Sequence, residues 1–167
     1  MYHRFEENKN PSTNKRNQNI SEHIKEINNS GIKFISFRKF EEIIKTSIDK
    51  NYILLTIDDA FESFYLNAWP LLKNKKIPFI LFVSTREIGK NGYMTWDQIK
   101  EVDTSDLVTI GNHSHSHEYL IDWEDDKIKN DLIKFLLNLN ILVSNDEKIE
   151  TGRCLDGCSH RSNDNPL

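Results

Sequence analysis

From about residue 20 onward the apolar residues fall alternately at helical spacing and in short continuous runs. The first kind of segment predicts amphipathic helices and the second predicts buried strands, so the order of elements argues for an α/β fold with parallel strands. Ile20, Ile24 and Ile27 lie along one side of a helix that Ser21 can cap and Gly31 can stop. Residues 32–35 read as a short strand. Ser36 can cap a second helix with Phe37, Phe40, Ile43 and Ile44 on its buried face, ending before Asp49-Lys50-Asn51. Residues 52–57 form the strongest predicted strand, apolar enough for burial on both faces, and it ends in Asp58-Asp59. Residues 61–75 again carry apolar residues at helical spacing, and Pro70 among them predicts a kink or a helix start. Residues 78–83 form the next buried strand and Asn91-Gly92 a turn. Thr95 caps a short helix over 96–102, and a strand over 107–110 runs into Gly111-Asn112-His113. Asp122 can cap a last amphipathic helix from Trp123 to about Leu139. Beyond it the periodicity fades, and no internal repeat is present.

Composition narrows the function classes. A chain of 167 residues with 37% apolar content supplies one core, hence a single domain. Lys and Arg number 22 against 26 Asp and Glu, a formal −4, so no basic footprint points to nucleic acid. No stretch approaches the roughly 20 apolar residues that span a bilayer, so no transmembrane segment is expected. The start, MYHRFEENKNPSTNKRNQ, lacks the apolar centre of a secretion signal. As written the chain reads as cytoplasmic, with a secreted or periplasmic location expected if a segment precedes it. Cys154 and Cys158, with His160 nearby, neither build a disulfide framework nor complete a four-ligand zinc site, and read as incidental thiols.

The candidate chemistry sits at the ends of strands. In parallel α/β folds functional groups gather at the carboxyl ends of strands, so Asp58-Asp59 and His113/His117 can meet despite their separation in sequence. One carboxylate and two neutral imidazoles hold a divalent cation and leave positions open, as catalysis requires. A spacing of four lets His113 and His117 project to one side, while His115 points elsewhere as a bystander. Adjacent carboxylates after one strand point to different sides and resist joint ionisation, so one binds metal and the other handles protons. Alone, an Asp-Asp pair is a solvated turn or helix cap and a His tract a polar loop. Both motifs following apolar strands favours the site. Tyr65, Trp69 and Trp96 can stack on sugars, but at apolar helical positions such rings are more often core.

These residues carry a family resemblance. Thr56-Ile57-Asp58-Asp59-Ala60 resembles the Thr-Phe-Asp-Asp-Gly motif of NodB-like polysaccharide deacetylases, and Gly111 to His117 resembles their His-Ser/Thr-x-x-His motif. The similarity runs from Tyr2-His3-Arg4-Phe5 with Pro11-Ser12-Thr13, through residues 61–68 and Phe82-Val83-Ser84-Thr85, to Met94-Thr95-Trp96-Asp97-Gln98, over most of residues 1–140. The resemblance implies a distorted (β/α) barrel of NodB type and hydrolysis of N-acetyl groups on a carbohydrate substrate. It implies Zn²⁺, or another divalent metal such as Co²⁺, Ni²⁺ or Mn²⁺, held by Asp59, His113 and His117, with Asp58 as general base.

The pattern also departs from the family. Ala60 stands for the usual Gly and Ile57 for Phe. The family's Arg-containing segment, its Tyr-Pro-Tyr-Gly or Arg-Pro-Pro-Tyr-like strand end and its late Leu-x-His general acid do not occur, and His160 is a poor substitute for the acid. Residues 1–142 therefore read as the deacetylase-like domain and residues 143–167 as an irregular tail. Truncation or a shifted reading frame is expected there, with a barrel incomplete at its C-terminal side and apolar edges exposed. Three functions follow: a metal-dependent N-deacetylase, a catalytically weak remnant that still binds metal, or a carbohydrate-binding α/β module.

Overall fold

The computed structural model describes residues 1–9, 13–46 and 50–143. Pro11, Ser12, Cys154, Cys158, His160 and the rest of the expected tail beyond residue 143 lie outside the described residues. In chain order the elements are β1 (Arg4–Phe5), β2 (Asn14–Lys15), α1 (Asn17–Asn29), β3 (Lys33–Phe34), α2 (Phe37–Ile44), β4 (Tyr52–Ile53) and β5 (Leu55–Asp58). A π-helical turn (Phe64–Ala68), α3 (Trp69–Asn74), β6 (Phe79–Val83), α4 (Trp96–Asp103), β7 (Val108–Asn112), a 3-10 turn (Leu120–Asp122) and α5 (Asp125–Val143) complete the order.

The paired strands are all parallel, as the α/β reading requires. They lie in three sheets, β1–β2, β3–β4 and β5–β6–β7, and closure into a barrel is not seen among the described residues. The single strand expected over residues 52–57 is divided at Leu54, so one apolar run serves two sheets: β4 pairs with β3 and β5 with β6. A parallel bridge from Tyr2 to Ile57 ties the start of the chain onto β5. There the Tyr2 N–H donates to the Thr56 carbonyl at 3.0 Å and the Asp58 N–H to the Tyr2 carbonyl at 2.9 Å.

Helix boundaries show where local signals suffice. Ser36 caps α2 by accepting from the Lys39 N–H, and Thr95 with Gln98 forms a reciprocal capping box on α4. By contrast α1 starts at Asn17, ahead of Ser21, because the Glu6 carboxylate accepts from the Asn17 N–H and pairs with Arg16. That cap comes from the loop after β1. The last helix begins at Asp125, since Trp123 is extended (φ −100°, ψ 147°) and Asp122 closes the 3-10 turn before it. Pro70 has no N–H to give, and the helix adapts ahead of it: the Trp69 N–H reaches back five residues to the Phe64 carbonyl, and α3 then starts with Pro70 in its first turn.

The core forms around the central sheet, where Ile57, Leu81 and Val83 are fully buried. Phe79 meets Phe64 and Trp69 edge-on, with ring centroids 5.4 and 5.9 Å apart, so Trp69 is a core residue. Tyr65 and Trp96 pack against the same cluster. Phe135 anchors α5 there, fully buried, and each such ring stabilises the fold by about 1.5–3 kcal/mol. The apolar face expected on α2 is not buried: none of its residues is, and Ile44 is 63% exposed. Amphipathic spacing marks a face suited to cover and does not supply the covering layer.

Gly111 permits the close approach of β7 to β6. A Cβ there would stand 2.5 Å from Phe82 Cδ1 and 2.9 Å from Ile80 Cγ2. We expect Gly111→Ala to lower unfolding free energy by about 1–3 kcal/mol through overpacking. Urea denaturation checks this, and an unchanged midpoint would refute the tight contact.

Candidate metal centre

The site begins where β5 ends. Asp59 and Ala60 follow with φ of 73° and 52°, a left-handed conformation that costs an L-residue roughly 1–2 kcal/mol and a glycine almost nothing. This turn separates the surroundings of the two neighbouring carboxylates. Asp58 Oδ2 lies 3.8 Å from His3 Nε2. Asp59 Oδ1 lies 3.1 Å from His113 Nε2 and 2.8 Å from His117 Nε2.

The histidines arrive from the loop after β7, which adopts no regular structure and so must find acceptors for its N–H groups elsewhere. All five N–H groups from 113 to 117 find one. His113 donates to the Val83 carbonyl at 3.0 Å, Ser114 to Asn112 Oδ1 at 2.7 Å, and His117 to Ser114 Oγ at 2.9 Å. The N–H groups of His115 and Ser116 donate to the two carboxylate oxygens of Asp131 at 2.7 and 3.1 Å. The chain after β6 holds the carbonyls: Ser84 Oγ donates to that of His113 at 2.6 Å, and the Arg86 N–H to that of His115 at 3.0 Å. Ser114 and His117 take φ of 65° and 58°. The two loops of the site thus hold four non-glycine residues in a costly conformation, a concentration typical of functional sites.

Electrostatics separates the two acids further. Burial pushes the Asp58 carboxyl above its ordinary range, against the pull of His113 and His3. Burial acts the same way on Asp59, but the imidazoles of His113 and His117 outweigh it and hold that carboxyl below its ordinary range. The Asp59 carboxylate in turn raises the pKa of His113. Adjacent carboxyls with pKa values pushed apart suit one acid for ionic ligation and the other for proton transfer.

The donor set fits a divalent cation. Asp59 Oδ1 is buried and, despite its two close imidazole neighbours, has no hydrogen-bond partner. Two imidazole nitrogens and this carboxylate oxygen thus gather in one small space. Donors about 2.1 Å from one ion at angles of about 90–109° stand roughly 3.0–3.4 Å apart, close to the two separations seen here. Asp59, His113 and His117 each place one ligand atom within 4.8 Å of the others.

Of the four residues singled out from the sequence, three come together and Asp58 lies beside them. His115 stands apart, its Nδ1 2.8 Å from Thr85 Oγ1. Sequence reading gave no role to His3, Ser84 or Asp131. His3 reaches Asp58 only because Tyr2 is bridged to β5. Asp131 is one acid among several in a charged helix, with no local mark to distinguish it.

The polysaccharide deacetylase family model matches residues 45–139, more than half of the chain. The poly-beta-1,6-N-acetyl-D-glucosamine N-deacetylase of Staphylococcus aureus (strain N315) is 27% identical over 99 residues, covering 57% of this chain and 34% of that enzyme. The chain therefore spans about a third of that relative's length. Among solved structures, IcaB from Ammonifex degensii matches 86% of this chain and 67% of its own at TM-score 0.73 and 23% identity. Streptococcus pyogenes deacetylase PplD in complex with acetate matches 84% of this chain and 67% of its own at TM-score 0.69 and 21% identity. At those identities the likeness is one of fold.

Ser84 is 1% exposed and its hydroxyl bonds the His113 carbonyl. Ser84→Ala leaves that carbonyl without this donor, and we expect a loss of about 1–3 kcal/mol. Thermal unfolding measures it, and a stability equal to that of the parent would refute the role given to this bond.

Proposed function

The chain belongs to the polysaccharide deacetylase family, and we propose that it removes N-acetyl groups from a carbohydrate polymer at the site formed by Asp58, Asp59, His113 and His117. The observation that carries this reading is the buried Asp59 oxygen, unpartnered and flanked by two imidazole nitrogens at the end of a parallel sheet. We also read the three parallel sheets as part of the distorted (β/α) barrel of NodB type, with residues 1–142 forming the domain.

Asp59, His113 and His117 would hold a divalent cation, Zn²⁺ or Co²⁺, Ni²⁺ or Mn²⁺. When bound, such an ion supplies Lewis acidity, polarising the amide carbonyl and stabilising the negative charge that develops on its oxygen. Asp58 takes the proton from water as the water oxygen bonds to the acyl carbon. Its burial and raised pKa suit it to accept that proton. The carbon–nitrogen bond then breaks, the proton passes from Asp58 to the departing nitrogen, and acetate and a free amine result. His3 Nε2 lies 3.8 Å from Asp58 Oδ2, near enough for a positive charge on the imidazole to favour the carboxylate form. Because the S. aureus relative is a poly-beta-1,6-N-acetyl-D-glucosamine N-deacetylase, β-1,6-linked N-acetylglucosamine is the first substrate to try.

Two experiments test the reading. Incubated with N-acetylglucosamine oligomers and Zn²⁺, the chain is expected to release acetate, and Asp58→Asn to lower kcat/KM by about 10²–10⁴-fold while still taking up metal. No acetate from any N-acetylated oligomer, with metal bound, would refute the activity. Zn²⁺ at a hundred times its Kd is expected to add about 2.7 kcal/mol of stability. A chelator should reverse that gain and His117→Ala abolish it, and a gain that survives His117→Ala would place the ion elsewhere.

A further inference from the structure

We propose that Asp131 is a positioning residue for the candidate metal centre, its α5 carboxylate fixing the loop that aims His113 and His117 at Asp59. This rests on the reading of Asp59, His113 and His117 as ligands. Asp131 is 5% exposed, in the only stretch of α5 whose described side chains reach the buried interior. Its Oδ2 accepts the His115 N–H at 2.7 Å and its Oδ1 accepts the Ser116 N–H at 3.1 Å. The Ser116 N–H also lies 3.4 Å from Oδ2, so both oxygens engage the same short stretch of loop.

The position of this contact gives it leverage. His115 and Ser116 sit between the two ligands, so holding their N–H groups sets the direction in which the chain leaves His113 and arrives at His117. The acceptors of the other three N–H groups from 113 to 117 are neutral, and two of them belong to Asn112 and Ser114, inside or next to the loop itself. Asp131 is the charged acceptor and comes from a different element. Hydrogen bonds to a charged group contribute roughly twice as much as neutral ones, and here two of them resist the left-handed strain at Ser114 and His117. The loop is therefore gripped from both sides, its His113 and His115 carbonyls by the chain after β6 and its His115 and Ser116 N–H groups by α5. An amide at position 131 keeps one acceptor oxygen and replaces the other with a donor, which would face an N–H group. An alanine removes both.

The test is the affinity of the full chain for Co²⁺ and Zn²⁺, measured by competition with a chelator of known affinity. It compares the parent, Asp131→Asn, Asp131→Ala and Phe135→Leu, with thermal unfolding of each metal-free protein. Phe135→Leu alters the same helix at a fully buried core position away from the loop, and is expected to lower thermal stability without changing metal affinity. Asp131→Ala is expected to weaken metal binding about 10–100-fold, as loss of a residue that orients ligands does elsewhere. Asp131→Asn should weaken it by a smaller factor and decides the matter if the alanine variant does not fold. Parent-like metal affinity in a folded Asp131 variant would overturn the positioning role and leave the metal reading standing. So would weakening equal to that of Phe135→Leu at matched stability. Absence of metal binding by the parent would overturn the metal reading itself, and the positioning role with it.

Discussion

The register of the central sheet aligns the two halves of the candidate site. Asp58 on β5 pairs with Phe82 on β6, and Phe82 pairs with Gly111 on β7. Three strands therefore end at nearly one level, and the residues that follow them, Asp59, Ser84 and His113, enter the same space. Parallel hydrogen bonding fixes this without any contact between the functional groups themselves. A slip of one residue on either side would turn Asp58 or the approach to His113 to the opposite face. Gly111 belongs to the same constraint, because the strands approach closely enough at this level that a side chain there would collide with Phe82 and Ile80.

Given that alignment, the remaining difficulty is strain. Asp59, Ala60, Ser114 and His117 all adopt left-handed backbone conformations, together costing several kcal/mol at roughly 1–2 kcal/mol each. The structure offsets this through hydrogen bonds from outside the strained segments. The Asp58 N–H bonds the Tyr2 carbonyl and the Met94 N–H bonds the Ala60 carbonyl at 2.9 Å, which holds the first turn. Ser84, Arg86 and Asp131 hold the second. The same turns separate the two acids, so that His113 and His117 lie 3.1 and 2.8 Å from Asp59 while Asp58, equally buried, has His3 only at 3.8 Å. Backbone geometry thus produces the opposite pKa shifts of two adjacent aspartates.

The periphery is organised less tightly. The apolar residues of α2 and the exposed Ile133 and Leu137 on α5 lie outside the central cluster. The ring contacts of Phe64, Phe79 and Trp69, by contrast, tie α3 and the π-helical turn to the sheet beneath the site. Stability of the site loops is therefore drawn from the sheet and from one buried face of α5, through Phe135 and Asp131.

From about residue 20 the sequence by itself determined most of the elements and their order. Continuous apolar runs specified parallel strands because such strands bury both faces, and Ser36 and Thr95 specified helix starts because a hydroxyl next to its own helix is a local cap. It also pointed to the candidate donor set, since Asp58-Asp59 and His113/His117 each follow a strand whose end was legible. What only the tertiary structure decided was whatever depends on a partner distant in the chain. The start of α1 rests on Glu6, the approach of His3 to Asp58 on the Tyr2 bridge, the hold on the histidine loop on Asp131, and the exposure of α2 on which layer covers it. None of these leaves a mark in local sequence, because a hydrogen bond or a packed face between distant residues depends on where the fold brings both partners, and periodicity records only one of them.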